Sequence, residues 1–453
     1  MEERIRLSEH FTYRKLFKFV MPSIVMMVFV SIYGIVDGFF VSNFAGELPF
    51  SALNLIYPMI MILGSFGFML GTGGNAEVSK ILGEGDSEKA NRTFSMLIYS
   101  TVAIGIILSI IGISLARPVA EWLASREENI SDAERAQLID YCVVYARIIL
   151  TALPAFMLQN AFQGFFVTAE KPKLGLYVTI FAGCGNVFFD ALFVVGFKWG
   201  LVGAAVATAL NQLIGGVLPL IYFANKNNSL LRLGKTHFEG RVFIRVCING
   251  LSELISNISM SVVTILYNMQ LMKYIGLHGV SAYGIMLYIG FIFIAIFIGY
   301  AVGCAPIIGF HYGADNRDEL KNIFKKSLNI MTVLGIVMTI FSVAFARPLA
   351  SIFVQEPELL SLTAHGLKIY SLCFLFAGLN IFGSSFFTAL SNGVLSLILS
   401  VFRTFACQAV AVLVLPLFFD VDGIWSAVII AEGFTLILTV ILWFVKRKKY
   451  GYM

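Results

Sequence analysis

The stretch GCGNVFFDALFVVG, residues 183–196, places two polar side chains in an otherwise apolar segment. Asn186 and Asp190 are four residues apart, so they lie on one face of an α-helix. A carboxylate inside an apolar membrane segment costs free energy unless another group pairs with it, and for this reason such residues mark functional sites. We therefore expect the rest of the chain to supply partners for Asp190.

The composition assigns the chain to the integral membrane proteins. Hydrophobic residues make up 58% of its 453 residues and charged residues 13%, against roughly 25% charged residues in a soluble domain. The net charge of +5 comes from short basic runs between apolar segments, which is typical of membrane topology and not of nucleic-acid binding. The six cysteines show no metal-site or redox spacing.

Twelve apolar runs of about 20 residues or more predict twelve transmembrane helices and an all-α integral membrane fold. Most Lys and Arg residues lie in the segments on the side of the two termini, so the positive-inside rule predicts that both termini are cytoplasmic. We expect the plasma membrane as the location. The predicted spans are roughly 17–42, 51–80, 92–116, 138–169, 173–196, 199–225, 246–273, 281–310, 327–346, 365–390, 393–419 and 423–445.

The two halves of the chain repeat each other. With an offset of 230 residues Gly73 aligns with Gly303, and after the loop near 124–137 an offset of 220 aligns Asn160 with Asn380. Because each copy has six spans, the repeat predicts two six-helix lobes related by a pseudo-two-fold axis along the membrane normal. The predicted parts are an N-terminal lobe at 1–224, a basic cytoplasmic linker at 225–240 and a C-terminal lobe at 241–453.

Three short segments carry a family resemblance: GTGGNAEVSKILGEGD at 71–86, GCAPIIGFHYGADN at 303–316 and FFVTAEKPKLG at 165–175. Together they resemble the multidrug and toxin extrusion (MATE) family of the multidrug/oligosaccharidyl-lipid/polysaccharide flippase superfamily, and the DinF-like branch more than the NorM branch. The resemblance extends from about residue 17 to 445. It implies a secondary active transporter, not an enzyme, that works by alternating access.

Depth along the spans indicates which polar residues can meet. Asp37 lies about 28 Å of helix beyond Lys18, and Asp190 about 25 Å beyond Lys173, so both are in the outer half of the membrane. Thr208 lies about 13 Å into a span that begins outside, at a similar level.

The resemblance implies a cation-coupling site in the N-terminal lobe, with H⁺ or Na⁺ as the coupling ion and no cofactor. Oxygen ligands suit a hard cation such as Na⁺, and two neighbouring carboxylates can instead share a proton. The alternative is a structural hydrogen-bonded cluster that ties spans one, five and six together. The residues of the implied site are Asp37, Asn186, Asp190 and Thr208.

Glu253 in the seventh span is the corresponding candidate in the C-terminal lobe, either for coupling or substrate contact or for a local hydrogen bond between helices. NorM-like members use an acid near this place together with an aspartate in the tenth span, but the tenth span here, YSLCFLFAGLNIFGSSFF at 370–387, contains no acid. Arg403 and Glu432 both fall near the membrane midplane, and we predict that they pair.

Four further residues are candidates for the lining of a substrate cleft because they are polar or adaptable: Met157, Asn160, Gln163 and Asn380. The expected function is export of drug-like, often cationic amphipathic small molecules by a cation-coupled antiporter. The alternative is a flippase for lipid-linked or amphipathic substrates. Arg147 and Arg403 are the only basic residues that lie within predicted spans away from the span ends, which favours the exporter.

A membrane-embedded enzyme is the third function class. The five histidines (10, 237, 278, 311 and 365) are isolated from one another, and the sequence has no HExxH or HxxxH motif. The sequence therefore excludes this class. The expected partners are a small-molecule substrate and the lipid bilayer, without nucleic acid, and we expect a monomer.

Overall fold

The structure, a computed structural model, describes residues 5–125 and 131–453, apart from the side chain of Glu47. The middle of the loop in which the repeat offset changes, at 126–130, lies outside the described residues. The described residues form α-helices and contain no β-strand. The α-helices are α1 Tyr13–Phe44, α2 Glu47–Gly83, α3 Ser87–Ala124, α4 Asp132–Thr151, α5 Leu153–Thr168, α6 Pro172–Asp190, α7 Gly200–Ala224, α8 Gly240–Tyr274, α9 Leu277–Gly313, α10 Arg317–Ala344, α11 Ala346–Ser351, α12 Pro357–Tyr370, α13 Phe374–Ala389, α14 Gly393–Val401, α15 Gln408–Val414 and α16 Pro416–Tyr450.

The helices confirm the prediction of a twelve-span all-α membrane protein. Among the described residues, eleven helical segments are long and apolar enough to cross a membrane, and α4 with α5 makes up one further, broken span. Helices are expected here because a backbone in lipid must satisfy its polar groups within its own segment. Several helices begin before the apolar run does, because polar N-caps extend them: Asp86 accepts the N–H of Lys89, and Asn316 accepts that of Glu319.

The fourth span differs from the prediction of one continuous helix at 138–169. The chain bends by 54° between α4 and α5, beside Pro154 in the first turn of α5. Proline has no N–H to donate and its ring collides with the carbonyl four residues before it, so it ends or kinks a helix. A second interruption lies within α16, where Asp420 has φ +46° and Phe419 is also non-helical; this break separates the predicted eleventh and twelfth spans.

The helix bounds follow the predicted repeat. Both ends of α2 and α9 differ by 230 residues, as do the first residues of α3 and α10. The turn glycines before α2 and α9, Gly46 and Gly276, have φ values of +99° and +81°, a region that favours glycine because it lacks a Cβ.

The chain folds into two compact units, each described here by itself. The Asp190 unit consists of Phe29–Val78 and Asp86–Gly250. It therefore contains the second half of α1, most of α2, all of α3 to α7, the segment between α7 and α8, and the beginning of α8. The Arg403 unit consists of Met1–Val28, Ser79–Gly85 and Leu251–Met453. The predicted lobe boundaries stay a prediction.

The segment between α7 and α8 lies along the first turns of α3. The N–H of Arg232 donates to Asn91 Oδ1 at 2.6 Å, and Thr236 Oγ1 donates to the carbonyl of Arg92 at 2.8 Å. The segment has no helix between Ala224 and Gly240; the linker bounds 225–240 stay a prediction. These hydrogen bonds fix the linker on the Asp190 unit.

Candidate functional site

Gly183 sets the distance between α6 and α1. A Cβ at this position would stand 2.6 Å from Cε1 of Phe29 and 2.8 Å from Cδ1 of Tyr33, so a larger residue would push the two helices apart. Further along the same helix, Asn186 is 1% exposed and Asp190 is fully buried. The close contact at Gly183 therefore holds the polar face of α6 against α1.

The Asp37 carboxyl on α1 is the centre of the site. Thr208 Oγ1 on α7 donates a hydrogen bond to Asp37 Oδ1 at 3.2 Å. The Asn186 and Asp190 side chains of α6 lie next to the same carboxyl. The structure thus brings all four predicted residues together, from three helices of the Asp190 unit. Their role in coupling stays a prediction.

The site has two acids, and the described residues supply no basic partner for them. Both carboxylate oxygens of Asp190 are buried, and neither has a hydrogen-bond partner among the described residues. Within the same described ranges, no ion pair reaches Asp37 or Asp190. Two adjacent carboxylates in a low-dielectric surrounding resist double ionisation, so a proton or a cation is needed to neutralise the pair. The carboxylates, together with the Asn186 and Thr208 oxygens, are the hard ligands that a small monovalent cation such as Na⁺ takes.

The helix changes its winding directly after Asp190. Residues Ala191–Gly196 are π-helical, and the N–H of Phe197 donates to the carbonyl of Leu192 at 2.8 Å. Gly203 lets α7 approach this turn, since a Cβ there would stand 3.0 Å from the backbone of Phe193. Single π-helical turns inside α-helices occur often at functional sites.

Sequence reasoning missed two polar residues on α7. Asn211 and Gln212 follow Thr208 by three and four residues and are 3% and 6% exposed. Their side-chain carbonyl oxygens have no hydrogen-bond partner within the described ranges, and Tyr33 of α1 faces Asn211. The signal was available, because the spacing i, i+3, i+4 places all three polar residues on one face of an apolar helix.

In the Arg403 unit the predicted pair is confirmed. Arg403 Nε donates to Glu432 Oε1 at 2.9 Å. Asn380 Nδ2 donates to Glu432 Oε2 at 2.7 Å, and Thr439 Oγ1 donates to Asn380 Oδ1 at 3.1 Å. Asn380, a candidate for the substrate cleft, is 1% exposed, and both ends of its amide are occupied by protein groups in this structure.

Glu253 lies within electrostatic range of Arg403. Its side chain is half-buried, and the structure gives it no hydrogen bond or ion pair with any residue that is described. Arg403 is therefore a basic neighbour with which the Glu253 carboxylate forms no ion pair among the described residues. Arg147, the other predicted intramembrane basic residue, is exposed on α4.

The three cleft candidates of the fourth span lie on α5 and differ in exposure. Met157 is fully buried, with its backbone against Gly67 of α2. Asn160 is half-buried and donates from Nδ2 to the carbonyl of Phe156 at 3.0 Å. Gln163 is 9% exposed. A role in substrate binding stays a prediction for all three.

Comparison with known proteins identifies the family. The MatE family model matches residues 22–192 and 254–413, which is well over half of the chain. The matched segments contain Asp37, Asn186 and Asp190 in the first part and Arg403 in the second. Membership of the DinF-like branch stays a prediction.

Individual relatives match along almost the whole chain. The multidrug export protein MepA of Staphylococcus haemolyticus is 23% identical over 430 residues, covering 94% of this chain and 92% of that protein. The crystal structure of MATE in complex with MaL6 has a TM-score of 0.90 at 18% identity and 98% coverage of both chains. An outward-facing multidrug resistance MATE transporter of the MOP superfamily has a TM-score of 0.88 at 18% identity and the same coverage. The structural likenesses support the fold.

Proposed function

We propose that this chain exports drug-like organic cations in exchange for H⁺ or Na⁺. The premise is that the chain belongs to the MatE family of secondary transporters and is not an enzyme. The observation that carries this proposal is the Asp190 carboxyl beside Asp37: both Asp190 oxygens are buried, and no N–H or O–H group of the described residues donates to them. The multidrug export function named for the MepA relative supports the substrate class.

Coupling follows from the charge of the site. When the pair Asp37 and Asp190 binds a proton or Na⁺, the magnitude of its negative charge falls, and the free-energy cost of burying the pair falls with it. A conformation that closes the site is then favoured by the ion, and one that opens it is favoured without the ion. An ion can shift such an equilibrium only by its difference in affinity for the two states. Alternating access driven in this way exchanges the ion for substrate.

The flippase alternative requires basic groups for lipid phosphates, and the described spans offer little support for it. Arg147 is exposed on α4, and Arg403 is already paired with Glu432. The exporter is therefore the function that the site supports best.

The first experiment measures ethidium efflux from cells that express the chain at matched levels. We expect Asp37→Asn and Asp190→Asn to reduce efflux to the level of cells without the protein, because an amide cannot carry the charge that the ion neutralises. Asp140→Asn is the control, since Asp140 is an exposed acid on α4 with a side-chain exposure of 72%, and it should transport like the parent. Normal efflux in both site variants would refute the assignment.

The second experiment identifies the ion. Purified protein is placed in proteoliposomes, and ethidium transport is measured under an imposed Na⁺ gradient at constant pH, then under an imposed pH gradient without Na⁺. One of the two gradients should drive transport in the parent and neither should do so in Asp190→Asn. Transport that follows neither gradient in the parent would exclude H⁺ and Na⁺ coupling.

A further inference from the structure

Three metal-ligating side chains meet at the beginnings of two helices of the Arg403 unit. His278 is the second residue of α9, Glu356 is the N-cap residue of α12, and Glu358 lies in the first turn of α12. One ligand atom of each lies within 4.8 Å of the other two, and Nε2 of His278 is 4.0 Å from Oε1 of Glu356. The predicted topology begins both helices on the outer side of the membrane, so in that topology the cluster faces the outer solution.

The usual role of an acid at a helix N-terminus does not account for these carboxylates. Such an acid accepts hydrogen bonds from the first unpaired N–H groups of the helix, but the side chain of Glu356 forms no cap hydrogen bond with α12. Within residues 5–125 and 131–453, no Lys or Arg forms an ion pair with Glu356 or Glu358. Both carboxylates are therefore available to a ligand beside His278.

The ligand set suits a divalent transition metal. Ca²⁺ and Mg²⁺ take oxygen ligands, whereas Zn²⁺ binds imidazole nitrogen and carboxylate oxygen together, at about 2.0–2.2 Å. Two ligands of one such ion lie roughly 3–4 Å apart, and the His278–Glu356 distance of 4.0 Å already satisfies this spacing. Rotation of the exposed Glu358 side chain completes the set. Three protein ligands leave the fourth position of Zn²⁺ to water.

The two helices that carry the ligands already pack side by side. A Cβ at Gly290 of α9 would stand 3.4 Å from the Tyr370 ring, and a Cβ at Gly366 of α12 would stand 3.0 Å from Met286 Sδ. Because this packing places the ligands near one another before an ion binds, binding requires less ordering. The Asp190 unit offers an internal comparison, since with the offset of 230 residues His278 aligns with Leu48, which has no ligand atom.

We propose that His278, Glu356 and Glu358 form a Zn²⁺ site that joins the beginnings of α9 and α12. Nε2 of the imidazole and one oxygen of each carboxylate bind the ion, and a water molecule takes the fourth position. The bound ion neutralises the two carboxylates and ties the ends of the two helices together. The site uses neither Asp37 nor Asp190, so it goes beyond the proposed export function and does not depend on it.

The test measures metal binding to the untagged full chain, purified in detergent after treatment with a chelator. Isothermal titration calorimetry gives the affinity for Zn²⁺, and the visible absorption of Co²⁺ bound in its place reports the coordination. We expect the parent to bind a single Zn²⁺. His278→Ala should weaken binding by more than the roughly 10- to 100-fold that loss of an outer-shell partner costs. Glu356→Gln and Glu358→Gln should each weaken it too, because an amide is a neutral and poorer ligand.

The matched control is His365→Ala. His365 is also an exposed histidine of the Arg403 unit and lies 2.8 Å from an acid, Asp422, but among the described side chains it has no third ligand beside it. This variant should bind Zn²⁺ like the parent. Equal losses in His278→Ala and His365→Ala would assign the binding to separate surface histidines and overturn the proposal. Unchanged binding in His278→Ala, or no Zn²⁺ binding by the parent, would overturn it as well.

Thermal unfolding provides a second measurement that does not depend on calorimetry. Because a ligand that binds only the folded state stabilises that state, Zn²⁺ should raise the unfolding temperature of the parent and of His365→Ala. It should not raise that of His278→Ala. The unfolding temperatures without metal show whether each variant is folded, and an equal rise in all three proteins would contradict the site.

Discussion

The Asp190 unit and the Arg403 unit each place two acids in membrane spans away from the span ends, but the surroundings of the two pairs differ. Asp37 and Asp190 lie side by side, and the described residues offer them no basic partner. Glu432 is paired at 2.9 Å with Arg403, and Glu253 lies near the same arginine. In the proposed function the first unit takes its positive charge from solution, whereas the second carries a positive charge on its own chain, at Arg403. An exchangeable charge can couple transport to an ion gradient; a charge fixed to the chain cannot.

The largest expected effect is a loss of folding free energy when the Arg403–Glu432 ion pair is broken. Arg403→Met leaves Glu432 buried without a counter-charge, and breaking a buried pair from one side costs about 3–5 kcal/mol of folding free energy. The double variant Arg403→Met/Glu432→Gln should recover most of this loss. Thermal unfolding of the purified protein in one detergent measures both. Equal stability of the single and double variants would mean that the pair is not what neutralises Glu432.

The next effect is the protection from thermal unfolding that an ion bound at Asp37 and Asp190 should give. A ligand that binds only the folded state stabilises it by about 2.7 kcal/mol at 100 times its Kd. We expect Na⁺, or a lower pH if the ion is a proton, to protect the parent and Arg403→Met/Glu432→Gln alike from thermal unfolding. The double variant Asp37→Asn/Asp190→Asn should lose this protection. Protection that survives in that variant would place the ion elsewhere.

A smaller effect tests how the Asp190 unit assembles its site. Gly183→Ala puts a Cβ 2.6 Å from the ring of Phe29, and overpacking of this kind costs about 1–3 kcal/mol. Moving α1 away from α6 should also slow ethidium efflux. Gly185→Ala on the same helix is the matched control, because its Cβ would meet no atom closer than 3.7 Å. Equal efflux in the two variants would show that the contact at Gly183 does not set the site geometry.

The smallest effect concerns a single hydrogen bond. Thr208→Val keeps the shape of the side chain but removes the donor to Asp37 Oδ1. A loss of about 0.5–1.5 kcal/mol is expected, which lowers the ion affinity by up to about tenfold. Thr208→Ser retains the hydroxyl and should bind the ion like the parent. The concentration of ion that gives half-maximal transport measures the change, and an equal shift in both variants would assign it to packing.

Hydropathy predicted the helices well because a span in lipid has few alternatives to an α-helix. Counting residues along the spans also predicted the level at which Asp37, Asp190 and Thr208 meet, because the rise per residue is constant. The bend beside Pro154 could have been read from the proline. The sequence does not reveal the π-helical turn at Ala191–Gly196, because the same apolar residues suit both windings.

Side-chain partners were harder to predict than helix positions. Asn380 aligns with Asn160 in the repeat, and both were candidates for one cleft. The structure instead ties Asn380 to Glu432 and Thr439, while within the described ranges Asn160 bonds only to the carbonyl of Phe156. Such partners depend on which face of each helix meets its neighbour, and neighbouring faces of apolar helices carry similar residues. Counting residues gives the depth of a side chain in the membrane. It does not give the direction in which the side chain points around the helix axis.

The π-helical turn after Asp190 contains one residue more than an α-helical turn would. A π-helical hydrogen bond spans five residues where an α-helical one spans four, as between Phe197 and Leu192. If the extra residue passes to the other side of Asp190, that side chain rotates by about 100° while the span stays hydrogen-bonded. The helix can thus rotate the Asp190 carboxylate in place. It needs no hinge for this, and its backbone does not become exposed to lipid.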